Sequence, residues 1–181
     1  RPTKYNILLP RGYKESTKRY PVLYLLHGLS QNYTAWGRSN GAPFYAGLYA
    51  DMIVVMPDGG NSWYINYAES TDGQTNNWAD HIVWDVVNHV DWHYRTIARR
   101  EGRAIAGLSM GGYGAITLGL RNPDMFISIG STSGALAHGR QAAARLRGEV
   151  PPRPVRQRSP EAQAAFDASQ RQPNPLIGID G

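Results

Sequence analysis

The sequence predicts an α/β fold with a mostly parallel sheet flanked by helices, on three observations. Continuous apolar runs recur at residues 20–26 (YPVLYLL), 52–56 (MIVVM), 103–108 (RAIAGL) and 126–130 (FISIG), the pattern of strands buried on both faces. Stretches of helical periodicity lie between them, and buried strands alternating with amphipathic helices pack as a parallel sheet covered by helices. Finally, G-x-S-x-G at residues 107–111 falls directly between a buried run and a helical one.

In chain order, Tyr5, Ile7 and Leu9 alternate with Asn6 and Leu8 before Pro10-Arg11-Gly12, which predicts a short half-buried strand ending in a turn. The run 20–26 does not alternate and predicts a central strand, as does 52–56, which Pro57-Asp58-Gly59-Gly60 closes. From Ile82, at 100° per residue, Val83, Val86, Val87, Val90, Tyr94 and Ile97 all fall within an arc of about 140°, predicting one helix packed on the sheet. His81, Asp85 and His89 take the opposite side. A second helix is predicted over residues 110–121, stopping at Asn122-Pro123 because proline disfavours helical backbone in the residue before it.

Residues 137–175 depart from this pattern. Gln, Arg, Ala and Pro dominate, and 149–159 (EVPPRPVRQRS) has too few apolar residues for a core element, so a surface excursion or lid-like segment is expected. Ser159-Pro160-Glu161 combines a helix-capping residue with a proline suited to a first turn, predicting a short helix over 161–169. A last apolar run, 176–179, comes just before Asp180-Gly181.

The 181 residues fit one domain. The net charge is +5, and residues 137–158 alone carry six Arg against one Glu, also +5, so the remainder is neutral. Basicity confined to one stretch is the mark of a solvated segment rather than of a nucleic-acid groove, and no nucleic-acid partner is expected. With no cysteine there are no disulfides, thiolate metal sites or cysteine nucleophile. No run approaches the ~20 apolar residues of a membrane span. The first residue is Arg1, which is expected of a processed or excised chain. Location stays open, a secreted or periplasmic one included, and so does oligomeric state.

The chemistry centres on Ser109. A serine at a sharp strand-to-helix turn projects its hydroxyl above the carboxyl end of the sheet, and flanking glycines relieve the crowding of the bend. The alternative is a glycine-rich turn with a solvated serine. His27-Gly28-Leu29 follows the strand at 20–26. Acyl transfer needs donors for an oxyanion, usually the amide after the nucleophile and one from the loop after an earlier strand, positions held here by Met110 and Leu29. His27 is a candidate base, but beside the oxyanion loop a histidine more commonly bonds locally and shapes that loop.

Four ordered blocks, YPVLYLLHGLSQNYTAW, VVMPDGGNSWYIN, NNWADHIVWDVV and RAIAGLSMGGYGAITLGLRNPDMFISIGSTSG, covering residues 20–136, resemble the esterase D, tributyrin esterase and feruloyl or acetyl xylan esterase group of α/β-hydrolases, to which mycolyltransferases are also similar. The resemblance implies Ser109 as nucleophile and the backbone amides of Leu29 and Met110 as the oxyanion hole. It places Asp58 and Trp63 in a block that helps build the site floor, and it implies a small-molecule ester substrate with no cofactor.

The departure lies after the nucleophile. The triad of this fold runs in the order Ser, acid, His, yet the only histidine beyond Ser109 is His138, 29 residues on. LIGIDG at 176–181 resembles the family's later strand, with Asp180 the non-catalytic residue of its pattern, so the triad acid and histidine are not identified. A fragment of a longer serine carboxylic-ester hydrolase is the expectation, against a non-catalytic binding module, an acyltransferase on the same scaffold, or Ser109 working with His138 or a helix histidine. His81, Asp85, His89 and His93 recur at i, i+4 steps but drift about 40° per step, so they predict a polar face and no metal site. Trp36, Trp63 and Trp78 could wall a pocket, whereas Trp84 and Trp92 are expected at the helix surface.

Overall fold

The computed structural model describes residues 4–38, 51–67, 76–151, 159–161 and 164. They form two compact units, Arg1–Ala135 and Leu136–Gly181. The first holds a five-stranded sheet of β1 (Tyr5–Leu8), β2 (Val22–Leu26), β3 (Ile53–Pro57), β4 (Arg103–Leu108) and β5 (Ser128–Thr132). Its spatial order is β1-β3-β2-β4-β5; β1 runs antiparallel to β3 and every other pairing is parallel.

The central strands follow the apolar runs. β3 is buried at all five positions, and Val22, Tyr24 and Leu26 of β2 are buried at alternate ones. Two strands differ from expectation. On β1 the residue turned fully inward is Asn6, while Tyr5, Ile7 and Leu9 are only partly covered against the core. The fourth run shifts two residues along: Phe126 is buried ahead of the strand, its ring 6.1 Å from that of Tyr24, and the mixed stretch Ser128 to Thr132 pairs with β4 from Ala104↔Ser128 to Leu108↔Thr132. Backbone pairing with a single neighbour among the described residues, not hydrophobicity, sets the bounds of β5.

A short helix α1 (Ala35–Arg38) follows β2. Helix α2 spans 78–93, built from Trp78–Asp80, a π-helical turn His81–Val86 and Val87–His93. Ile82, Val83, Val86, Val87 and Val90 are buried as predicted, and Trp84 and Trp92 are exposed. The helix stops short of the expected Ile97. Tyr20 N–H donates to the Arg95 carbonyl and Ile97 N–H to the Tyr20 carbonyl, both at 2.8 Å, so pairing beside β2 draws residues 94–97 into extended backbone. Helix α3 (Met110–Arg121) matches its predicted bounds, and Asn122 Nδ2 donates to the Leu118 carbonyl where it ends.

In the second unit, helix α4 (His138–Leu146) occupies part of the segment read as an irregular excursion. None of its residues is buried; Ala, Gln, Arg and Leu are good helix formers without a core face. Most of the helix expected over 161–169 and all of the run 176–179 lie outside the described residues. Among the described residues no helix is long and apolar enough to cross a membrane.

Candidate active site

Ser109 is the single residue between β4 and α3, and its backbone takes φ 56°, ψ −113°. A side-chain-bearing residue there costs about 1–3 kcal/mol and persists only when its surroundings over-determine it. They do: Ser109 N–H donates to the Thr132 carbonyl at 3.0 Å, and the Ser109 carbonyl accepts from Tyr113 N–H at 3.0 Å and Ala135 N–H at 3.1 Å. Close packing explains the flanking glycines. A Cβ on Gly107 would lie 2.9 Å from Gly111 Cα, and one on Gly111 would lie 2.6 Å from the His27 carbonyl oxygen and closer still to that of Leu26. The serine is half-buried, and among the described residues none hydrogen-bonds its hydroxyl.

The loop after β2 comes against this turn. A Cβ on Gly28 would be 3.7 Å from Ser109 Cβ and 3.5 Å from the Leu108 carbonyl oxygen. Met110, fully buried, opens α3; its N–H is one of the first-turn amides that have no acceptor within the helix, at the positive end of the helix dipole. The direction of the Leu29 amide follows from the peptide before it. The Gly28 carbonyl accepts from His27 Nδ1 at 2.8 Å and from Gln31 N–H at 3.3 Å. In a planar trans peptide C=O and N–H point in opposite directions, so holding the Gly28 oxygen aims the Leu29 N–H away from those partners.

His27 is fully buried with both ring nitrogens engaged. Nδ1 faces a carbonyl and must carry the proton, while Nε2 accepts from Gly59 N–H at 2.9 Å. Asp58 Oδ1 also lies 3.4 Å from Nε2, close enough to pair with the ring in its protonated form. The Asp58 carboxyl sits below its ordinary value: burial pushes it up, and the His27 ring together with the Gly60 and Gly59 amides outweighs that, with Gly60 N–H donating at 3.0 Å. His27 therefore fits the loop-shaping reading and is not available as a base.

The loop after β3 supplies the rest. Ser30, itself at φ 62°, donates its N–H to Asn61 Oδ1 at 2.8 Å. Trp63 and Tyr64 follow in succession at φ 57° and 56°, and this double left-handed turn carries the Trp63 ring to 5.7 Å from that of Tyr113, one turn into α3, edge to face. Trp63 is thus beside α3, whereas Asp58 braces the loop from behind. Sequence reading missed Tyr64, which is fully buried with its hydroxyl donating to the His27 carbonyl at 3.0 Å. A lone tyrosine beside the tryptophan of a recognisable block carried no signal of that bond.

His81, His89 and His93 do not converge. His81 Nδ1 meets Asp85 Oδ2 at 3.0 Å, and the rings of His89 and His93 stack at 4.0 Å. Among the described residues no group of three His, Cys, Asp or Glu could hold a metal ion. His138 begins α4 in the second unit, and Asp180 lies outside the described residues.

The chain is similar to known proteins. The Esterase family model matches residues 1–174. An esterase of Mycobacterium tuberculosis is 38% identical over 132 residues, covering 71% of this chain and 28% of that protein. An endo-1,4-beta-xylanase/feruloyl esterase of Xylanibacter ruminicola is 34% identical over 139 residues, covering 71% of this chain and 19% of its own length. The chain thus spans less than a third of either curated relative. Among solved structures, an S-formylglutathione hydrolase from Agrobacterium tumefaciens superposes with a TM-score of 0.70 at 20% identity, over 79% of this chain and 58% of that one, a likeness of fold. With the family match and a mostly parallel sheet carrying a strained serine between strand and helix, the chain belongs to the Esterase family and has the α/β-hydrolase fold.

Proposed function

We propose that the protein is a serine carboxylic-ester hydrolase acting on small acyl or aryl esters through an acyl-enzyme. The observation that carries this is Ser109, held at φ 56° between β4 and α3 with Gly28 packed against it. Ser109 Oγ attacks the ester carbonyl carbon and gives up its proton to a general base. The carbonyl oxygen becomes an oxyanion that takes hydrogen bonds from the Leu29 and Met110 amides. The C–O bond to the alcohol then breaks, the alcohol leaves with a proton, and water repeats the sequence on the acyl-serine to release the acid. The triad acid and histidine are not assigned, and no cofactor takes part. A relative named as a feruloyl esterase supports aryl esters as one substrate class, and the edge-to-face Trp63 and Tyr113 rings would line the acyl side.

The test uses the full-length protein. A fluorophosphonate labels Ser109, and Ser109→Ala loses both labelling and hydrolysis of short p-nitrophenyl esters; hydrolysis surviving in that variant refutes the assignment. Transfer of the acyl group to an alcohol or sugar uses the same nucleophile and oxyanion donors, and product analysis with added alcohols separates it from hydrolysis.

A further inference from the structure

We infer that Tyr64 and Gln31 are positioning residues that together fix the oxyanion amide of Leu29, a reading that rests on the serine-esterase assignment above. The evidence is the His27–Gly28 peptide, the unit immediately before the one that carries the Leu29 N–H. Both of its polar ends are held by side chains from outside it. Its carbonyl accepts from the Tyr64 hydroxyl at 3.0 Å, and its N–H donates to Gln31 Oε1 at 2.8 Å. A peptide gripped at both ends cannot turn about its flanking bonds, which fixes Gly28 φ, and the two hydrogen bonds to the Gly28 carbonyl, from His27 Nδ1 and Gln31 N–H, hold its ψ, leaving the next amide no soft coordinate.

Tyr64 is itself immobilised by contacts on both faces. A Cβ on Gly114, in the first turns of α3, would lie 2.5 Å from Tyr64 Cδ2, and one on Gly59 would lie 2.7 Å from Cζ. The ring fills the space those two glycines leave, and the fully buried His27 ring packs against its edge at 5.8 Å. Its backbone is fixed as well: Tyr64 N–H donates to Ser62 Oγ at 3.0 Å, and that hydroxyl donates to the Gly59 carbonyl at 2.5 Å. Burial raises the Tyr64 hydroxyl well above its ordinary value, so it remains a neutral donor throughout the working range of an esterase. One side chain therefore registers the loop after β2 against both the loop after β3 and the helix that starts at the nucleophile. That registration sets the distance between the two oxyanion donors. Gln31 completes it from the other end, its own N–H returning to the Gly28 carbonyl at 3.3 Å.

Donors that act on the oxyanion contribute in the transition state and not to substrate binding, so loosening them lowers kcat and leaves KM alone. In the full-length protein, with rates expressed per active site titrated by a p-nitrophenyl ester burst, Tyr64→Phe should lower kcat about 10- to 100-fold, and Gln31→Ala should lower it about 3- to 10-fold. KM should stay within about twofold for both, while the inhibition constant of a boronic acid, whose serine adduct is a tetrahedral anion, rises by the same factor as kcat/KM falls. Gln31 is only part-buried, so its variant remains informative should Tyr64→Phe fold poorly. The inference is overturned if neither variant lowers kcat per titrated site by more than about twofold, or if KM moves and boronate affinity does not. Failure of the underlying reading looks different: the unaltered protein then hydrolyses no ester, or Ser109→Ala still does.

Discussion

Gly111→Ala offers the sharpest test of how α3 and the loop after β2 share space. The added Cβ would sit 2.6 Å from the His27 carbonyl oxygen and closer to that of Leu26, against about 3.3–3.6 Å for an ordinary carbon–oxygen contact. Relief requires β2's end and α3 to separate by more than about 0.7 Å, since both obstacles are backbone atoms that no rotamer change can move. Alanine gains about 0.5–1 kcal/mol over glycine within a helix, but overpacking of this kind costs about 1–3 kcal/mol and should prevail. The net cost is then about 0–2.5 kcal/mol, and at about 3 °C per kcal/mol for a domain of this size Tm should fall by up to about 8 °C. The larger effect is on rate. A misplacement approaching 1 Å in a catalytic site costs about 100-fold, and the displaced carbonyl belongs to the peptide next to the amide proposed as an oxyanion donor, so kcat/KM for a p-nitrophenyl ester should drop about 30- to 100-fold. Gly119→Ala is the control, because its Cβ would meet the side chain of Ile129, at 2.5 Å from Cδ1 and 2.6 Å from Cγ1. That side chain can rotate, so Tm should stay within about 3 °C and activity should be unchanged. Activity of Gly111→Ala within about threefold of the parent, or an equal loss in Gly119→Ala, refutes the argument.

Other outcomes follow from the remaining features. Arg103 Nη2 meets Asp91 Oδ2 at 2.5 Å, and Thr96 Oγ1 donates to Asp91 Oδ1 at 2.6 Å, with both charged side chains largely buried. Asp91→Ala leaves the Arg103 guanidinium uncompensated and should cost about 3–5 kcal/mol in urea denaturation, with kcat per titrated site unaffected. Asp58 lies below its ordinary carboxylate value of 3.8, so its contribution to stability is complete above that value and disappears as pH falls through the lower folded one. The Tm gap between the parent and Asp58→Asn should accordingly be widest well above 3.8 and shrink as pH falls below it; a gap independent of pH would contradict the assigned ionisation.

Much of the scaffold was legible because strands in the middle of the sheet leave continuous apolar runs, although only β3 is buried at every position and β2 and β4 are buried at alternate ones. β3 and β4 and the full length of α3 sit where the pattern put them, the last because Asn122-Pro123 is a local stop. The misreadings share one cause. Asn6 faces inward, α2 ends at His93 and β5 begins at Ser128 because of pairing with residues distant in sequence, and periodicity carries no information about partners. At the site, Ser109, Gly28 and Gly111 announced themselves through backbone crowding that only small residues relieve. Tyr64 did not, since its place depends on a double left-handed turn and on two glycines 55 residues apart, at 59 and 114.

The adjacency of β3, β2 and β4 in the sheet has an evolutionary consequence. The segments that hold Tyr64, Leu29 and Ser109 emerge from three neighbouring strands, whose separation of about 4.8 Å is dictated by main-chain hydrogen bonding and is the same for any side chains. The sheet works as a ruler for the reacting centre. On the proposed assignment, drift at the half-buried rings of Trp63 and Tyr113 alters the acyl side of the site without altering that spacing, so substrate preference can diverge quickly among descendants while the geometry of attack stays put.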